Sequence, residues 1–84
     1  MAKIVIAKQL AGKKVITNDG EELGKLIDLT VHEQTGKIEH LLVEPNYDNP
    51  MARDLSKEEG LLVVSYESVL ASSDHIIVDK KNLK

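Results

Sequence analysis

Gly20-Glu-Glu-Leu-Gly24-Lys25 comes within one residue of a phosphate-binding loop. That loop requires G-x-x-x-x-G-K-[ST] between a strand and a helix, so that backbone N–H groups and the helix N-terminus face the phosphate. Here three residues separate the glycines, Leu26 stands where the magnesium-binding hydroxyl is needed, and the residues beyond alternate as a strand does. The spacing therefore predicts glycines that turn the chain. Gly20 takes a left-handed turn and Gly24 allows a bulge or sharp bend.

The other chemistry-bearing residues are equally dispersed. His32, His40 and His75 show neither H-x-x-x-H nor H-x-H spacing. Pairing His32 with Lys37 across a turn sets His40 near Leu29, so the two imidazoles do not converge on one ion. With no cysteine, thiolate zinc sites, thiol nucleophiles and disulfides are excluded. Glu21-Glu22 and Glu58-Glu59 are adjacent acids beside turns, unlike the separated pair in a cleft that acid–base catalysis uses. Ser65, Ser68, Ser72 and Ser73 lack a nucleophile-elbow context. The expectation is a protein that is not an enzyme, with no metal and no cofactor.

Charge weighs against nucleic acid as the general partner. The net charge is −3, whereas nucleic-acid binding favours a broadly basic face. Lys3, Lys8, Lys13 and Lys14 form a local basic start, and the two tyrosines make a poor stacking platform for bases. Protein binding remains, with one positive sign. Tyr47, Met51, Arg53 and Leu55 gather within one polar loop, and Tyr, Arg and Met are enriched at interfaces.

The elements that must position these residues are strands. The 84 residues hold no Phe or Trp, so the core is aliphatic, and its β-branched members favour sheet. No segment shows a convincing helical period. Lys3–Ala7 and Lys13–Thr17 read as strands. Asn18-Asp19-Gly20 supplies a turn, and from Leu23 the odd positions Leu23, Lys25, Ile27, Leu29 and Val31 mark one face of a third strand. Glu33–Gly36 closes a hairpin, Lys37–Glu44 returns antiparallel, and Pro45 ends it. Residues 45–59 read as a long polar loop, with Ser56 and Glu59 mimicking a capping box and room for at most one turn. Leu61–Tyr66 and His75–Asp79 are further strands, and residues 80–84 are expected to fray. The whole chain, 1–84, makes one all-β domain: a small, partly open antiparallel barrel of five or six strands. The longest apolar runs are four residues, against about 20 for a membrane-spanning helix, so the reading is a cytoplasmic protein with no membrane insertion.

Taken in order, Leu10-Ala-Gly12-Lys13-Lys-Val15, Asp19-Gly20-Glu21-x-Leu23-Gly24-Lys25-x-x-Asp28, Thr35-Gly36-Lys37-Ile38, Leu42-Val43, Tyr66-Glu67-Ser-Val69 and Asp74-His-Ile-Ile-Val78-Asp79 resemble the PRC-barrel family over nearly the whole chain. The likeness is to the stand-alone archaeal members. It implies a mostly antiparallel barrel without catalysis. The same domain forms the cytoplasmic part of the reaction centre H subunit and the C-terminal half of the ribosome maturation factor. Some stand-alone members are adaptors of archaeal cell division. Under the resemblance Gly12, Gly20, Gly24 and Gly36 serve turns, and Asp28 caps backbone donors at a strand bend. Ser65 replaces a frequent proline, and Ser73 a frequent glycine.

These lines converge on a protein-interaction adaptor, acting as a homodimer or with a paralogous partner. Dimerisation would add buried area to a small core. The alternative is a ribosome- or RNA-processing-associated factor docking on a ribosomal protein, with Lys3, Lys8, Lys13 and Lys14 approaching phosphates.

Overall fold

Short aliphatic runs between turn residues give seven strands in a computed structural model that describes residues 12–83. In chain order they are β1 (Lys14–Thr17), β2 (Glu22–Val31), β3 (Ile38–Pro45), β4 (Lys57–Glu58), β5 (Leu61–Ser65), β6 (Val69–Ser72) and β7 (Ile76–Val78). Among the described residues one α-helix, α1 (Pro50–Asp54), precedes β4, and 3-10 turns occupy Tyr66–Ser68 and Lys80–Asn82. The expected strand Lys3–Ala7, with Lys3 and Lys8, lies outside the described residues.

The strands form one sheet in the order β4-β5-β3-β2-β1-β7-β6. All pairings are antiparallel except β1 with β7, where Val15 meets Ile76 and Thr17 meets Val78. Strands from both halves of this sheet contribute to one core. Val15, Leu23, Leu26, Leu41, Val43, Leu62, Val64, Ile76 and Val78 are buried in a single cluster, closed by Ala52 of α1. The sheet therefore curls round its apolar face, and burying each large aliphatic side chain contributes about 1.5–3 kcal/mol. Among the described residues it stays open, with β4 and β6 as its edges. The fold is all-β and partly open as expected, with seven strands rather than five or six.

Strand β2 departs from strict alternation. Leu23 and Leu26 are buried and Leu29 half-buried, while Lys25 and Ile27 face out. Bulges explain this. The register with β1 slips between Val15 and Ile16, and that with β3 slips between Leu26 and Asp28. Each slip inserts a residue, so the inward positions fall three apart instead of two. Asp28 sits at the second slip, where its Oδ1 accepts a hydrogen bond from the Leu29 N–H at 2.7 Å. Gly12, Gly20 and Gly36 lie at positive φ.

Two segments are more ordered than the sequence suggested. Residues 45–59 contain α1 and β4 instead of a plain loop. The helix begins at Asn49-Pro50, and Ser56 and Glu59 form no capping box; Glu59 and Gly60 instead adopt φ of 52° and 82° in the two-residue β4–β5 turn. Both values suit a hairpin turn that twists with its strands. At the C-terminus, residues 80–82 coil into a 3-10 turn capped by Asp79, and Leu83 packs against the core. Lys80 Nζ reaches Asp19 at 2.9 Å and Glu21 at 3.2 Å, so this end is tied to the β1–β2 turn instead of fraying.

Candidate functional site

The loop singled out in the sequence is built on β2. The side chain of Asn49 caps α1 by accepting from Met51 N–H at 2.9 Å, and its Nδ2 donates to the Glu22 carbonyl at 3.0 Å. Asn46 N–H donates to the Leu23 carbonyl at 2.7 Å, and Asp48 N–H to Asn46 Oδ1 at 3.1 Å. Pro50 then occupies the first helical turn, where a missing N–H costs nothing.

On this mount the four candidate residues divide. Ala52 is fully buried, and Met51 and Leu55 are half-buried against the core. Met51 and Leu55 are therefore only partly accessible, each packing one side against the core. Tyr47, 57% exposed, and Arg53 face outward. Lys57 joins the two. Its Nζ donates to the Arg53 carbonyl at 2.8 Å and the Leu55 carbonyl at 2.9 Å, and lies 5.9 Å from the centroid of the Tyr47 ring. That distance is within reach of a cation–π attraction. No spacing in the sequence signals Lys57, because its role depends on how α1 turns the chain back. The signal for the half-buried pair was present in the offset of four between Met51 and Leu55, following an Asn-Pro helix start.

Other candidates disperse. Gly20 turns the chain with its N–H on the Thr17 carbonyl at 2.9 Å, and Gly24 lies inside β2, so no helix follows them. His40 stands opposite Thr30, one residue from the expected Leu29, because the register slips at Glu39; its Nδ1 is 3.2 Å from Thr30 Oγ1. His32 Nδ1 accepts from Thr35 N–H at 3.3 Å. Among the described residues no three His, Asp or Glu side chains gather for a metal. Lys14 lies opposite Lys25 and pairs with Glu22 at 3.6 Å, while Lys13 Nζ donates to the Ser73 carbonyl. A shallow cavity of about 190 Å³ borders β5, walled by Leu55, Val63, Val64 and Leu83. No helix of the described residues is long and apolar enough to cross a membrane.

Residues 4–83 match the model of the PRC-barrel domain. The chain belongs to the PRC-barrel family. An uncharacterized protein of Methanocaldococcus jannaschii is 35% identical over 78 residues, covering 92% of this chain and 83% of that protein. Among solved structures, RimM of Pseudomonas aeruginosa, a 16S ribosomal RNA processing protein by name, superimposes with a TM-score of 0.53 at 26% identity. That match covers 86% of this chain, which spans 41% of the length of RimM. In this PRC barrel, Ser65 caps the 3-10 turn at Tyr66–Ser68, its Oγ accepting from Glu67 N–H at 3.3 Å.

Proposed function

We propose that this PRC barrel is a non-enzymatic, cytoplasmic protein-docking adaptor, with archaeal cell division as its setting. The observation that carries the reading is that Tyr47 and Arg53 are both exposed on a segment whose Met51, Ala52 and Leu55 pack against the core. Tyrosine and arginine supply much of the energy at protein interfaces, and an anchor already fixed in place loses little entropy on binding. The resemblance to stand-alone archaeal adaptors supports the division setting.

The test is a tagged pull-down of the full chain from native-host lysate, comparing wild type with Tyr47→Ala and Arg53→Ala. Loss of a central Tyr or Arg anchor costs about 2 kcal/mol or more, roughly a 30-fold weakening. Division proteins retained at high salt by wild type and lost in both variants are the expected result. Retention of every partner by both variants would sink the reading.

The likeness to RimM supports a second reading, a factor that docks on a ribosomal protein. Ribosomal proteins and RNA that wash off steeply with salt would favour it.

A further inference from the structure

Asp19-Gly20 is the only place in the chain where an Asp or Asn precedes a glycine. That pair is chemically weak in any peptide. The glycine nitrogen, uncrowded by a side chain, attacks the carboxyl carbon of the residue before it. A C–N bond forms, and the carboxyl OH leaves with the N–H proton as one water, closing a five-membered succinimide. A second water opens the ring at either carbonyl. One opening restores aspartate; the other leaves isoaspartate, whose side-chain carbon has entered the main chain.

The β1–β2 turn uses both residues. Gly20 lies at φ of 91°, where an L side chain is strained. The Asp19 carboxylate accepts from the Thr17 hydroxyl at one oxygen and from Lys80 Nζ at the other, the latter at 2.9 Å. These contacts engage the same atoms that the rearrangement needs. The Gly20 N–H, whose proton must leave, donates to the Thr17 carbonyl at 2.9 Å. Both carboxyl oxygens, one of which must depart as water, are held. The Thr17 hydroxyl, first, and Lys80 also favour the ionised carboxylate, which is a poor electrophile. Thr17 is itself fixed: it is buried, and its Oγ1 accepts from Glu21 N–H at 2.9 Å. Lys80 is the distant member, sixty-one residues along the chain. Its backbone N–H donates to Asn18 Oδ1 at 3.1 Å, and its Nζ also reaches Glu21.

From these contacts we infer that Asp19-Gly20 is a site of backbone isomerisation that the C-terminal turn holds latent. While Lys80 and Thr17 grip the carboxylate and the Gly20 N–H stays bonded, the pair is stable. Release of residues 80–83 arms it. Isoaspartate lengthens the main chain by one carbon within the turn and carries the carboxylate away from Lys80. A transient release of the C-terminal turn thereby becomes a lasting one. None of this depends on what the Tyr47 surface holds.

Long incubation of the full chain in neutral buffer below its melting temperature tests this. Peptide mapping, with fragmentation that separates isoaspartyl from aspartyl backbones, reads the fraction converted at residue 19. Conversion should be about tenfold or more slower in the folded chain than in urea, since attack waits for local opening. Lys80→Met should speed it about two- to fivefold, as expected for losing one exposed ion pair. Val63→Ala, half-buried on β5 with β3 and β2 between it and the turn, lowers the melting temperature but should leave the rate at the wild-type value. Equal rates in folded and unfolded chains would overturn the inference. So would a Lys80→Met rate equal to wild type, or equal acceleration by Val63→Ala. Conversion confined to a different aspartate would do the same.

Discussion

At Gly24 the backbone of β2 passes so close to β3 that a Cβ would overlap the carbonyl oxygen of Glu44. Its φ of 156° adds strain for any other residue. Neither neighbour can yield, because both are backbone in registered strands. Gly24→Ala should therefore cost about 3 kcal/mol or more, a large share of the 5–15 kcal/mol that holds a typical domain. Urea unfolding measures it; a loss below 1 kcal/mol, roughly that of an ordinary surface change, would contradict the packing account. Gly20 and Gly36 look the same as Gly24 in the sequence, yet an added Cβ at either meets nothing within 4 Å. What distinguishes them is a carbonyl twenty residues further along the chain, which local spacing cannot report.

Among the elements, the hairpins were legible because turn residues act locally: Asn18–Gly20 and Glu33–Gly36 turn where the sequence placed them. Helix α1 was not. Five residues are too few to show a period, and the polar composition of residues 45–59 reads as loop. Its start at Asn49-Pro50 is the signal that composition concealed. Strand β2 was placed along the chain but rotated, since two bulges moved Leu26 inward and Ile27 outward. The candidate site was half legible for the same reason. Tyr47 and Arg53 reach the surface because α1 turns Met51 and Leu55 under them. Asn49 both caps that helix and ties it to β2, so Asn49→Ala should cost about 1–2 kcal/mol. It should also weaken any partner held by Tyr47, although Asn49 need not touch the partner. Thermal melts and binding measured on the same variant check both effects, and full binding with a loosened helix would separate the mount from the anchors.

Across the whole molecule, the C-terminal turn is clasped to the β1–β2 turn through Lys80. The Thr17 hydroxyl first, then Lys80, hold the Asp19 carboxyl below its ordinary 3.8. Asp19 first, then Glu21, hold the Lys80 ammonium above its ordinary 10.5. A depressed carboxyl contributes stability that is present above 3.8 and lost as pH falls through its lower folded value. A raised ammonium contributes stability that is complete below 10.5 and lost as pH rises through its higher folded value. Lys80→Met should therefore flatten the alkaline limb of melting temperature against pH. It should flatten the acid limb only in part, because the Thr17 bond to Asp19 survives. An alkaline limb unchanged from wild type would remove the clasp from the account.

The β1–β7 pairing was invisible to the sequence, since sixty-one residues separate Val15 from its partner Ile76. That separation also governs how the protein is made. As the chain leaves the ribosome β1 emerges well before its parallel partner β7, so Val15 and Thr17 wait for Ile76 and Val78 to appear. Between the emergence of β5 and that of β7, the β2–β3–β5 portion exists with one flank of its core bare, a state prone to wrong partners. Truncation by a few residues at the end of β7 would leave a nascent-like chain, and the cell would meet it as a substrate for chaperones and proteases instead of a shortened barrel.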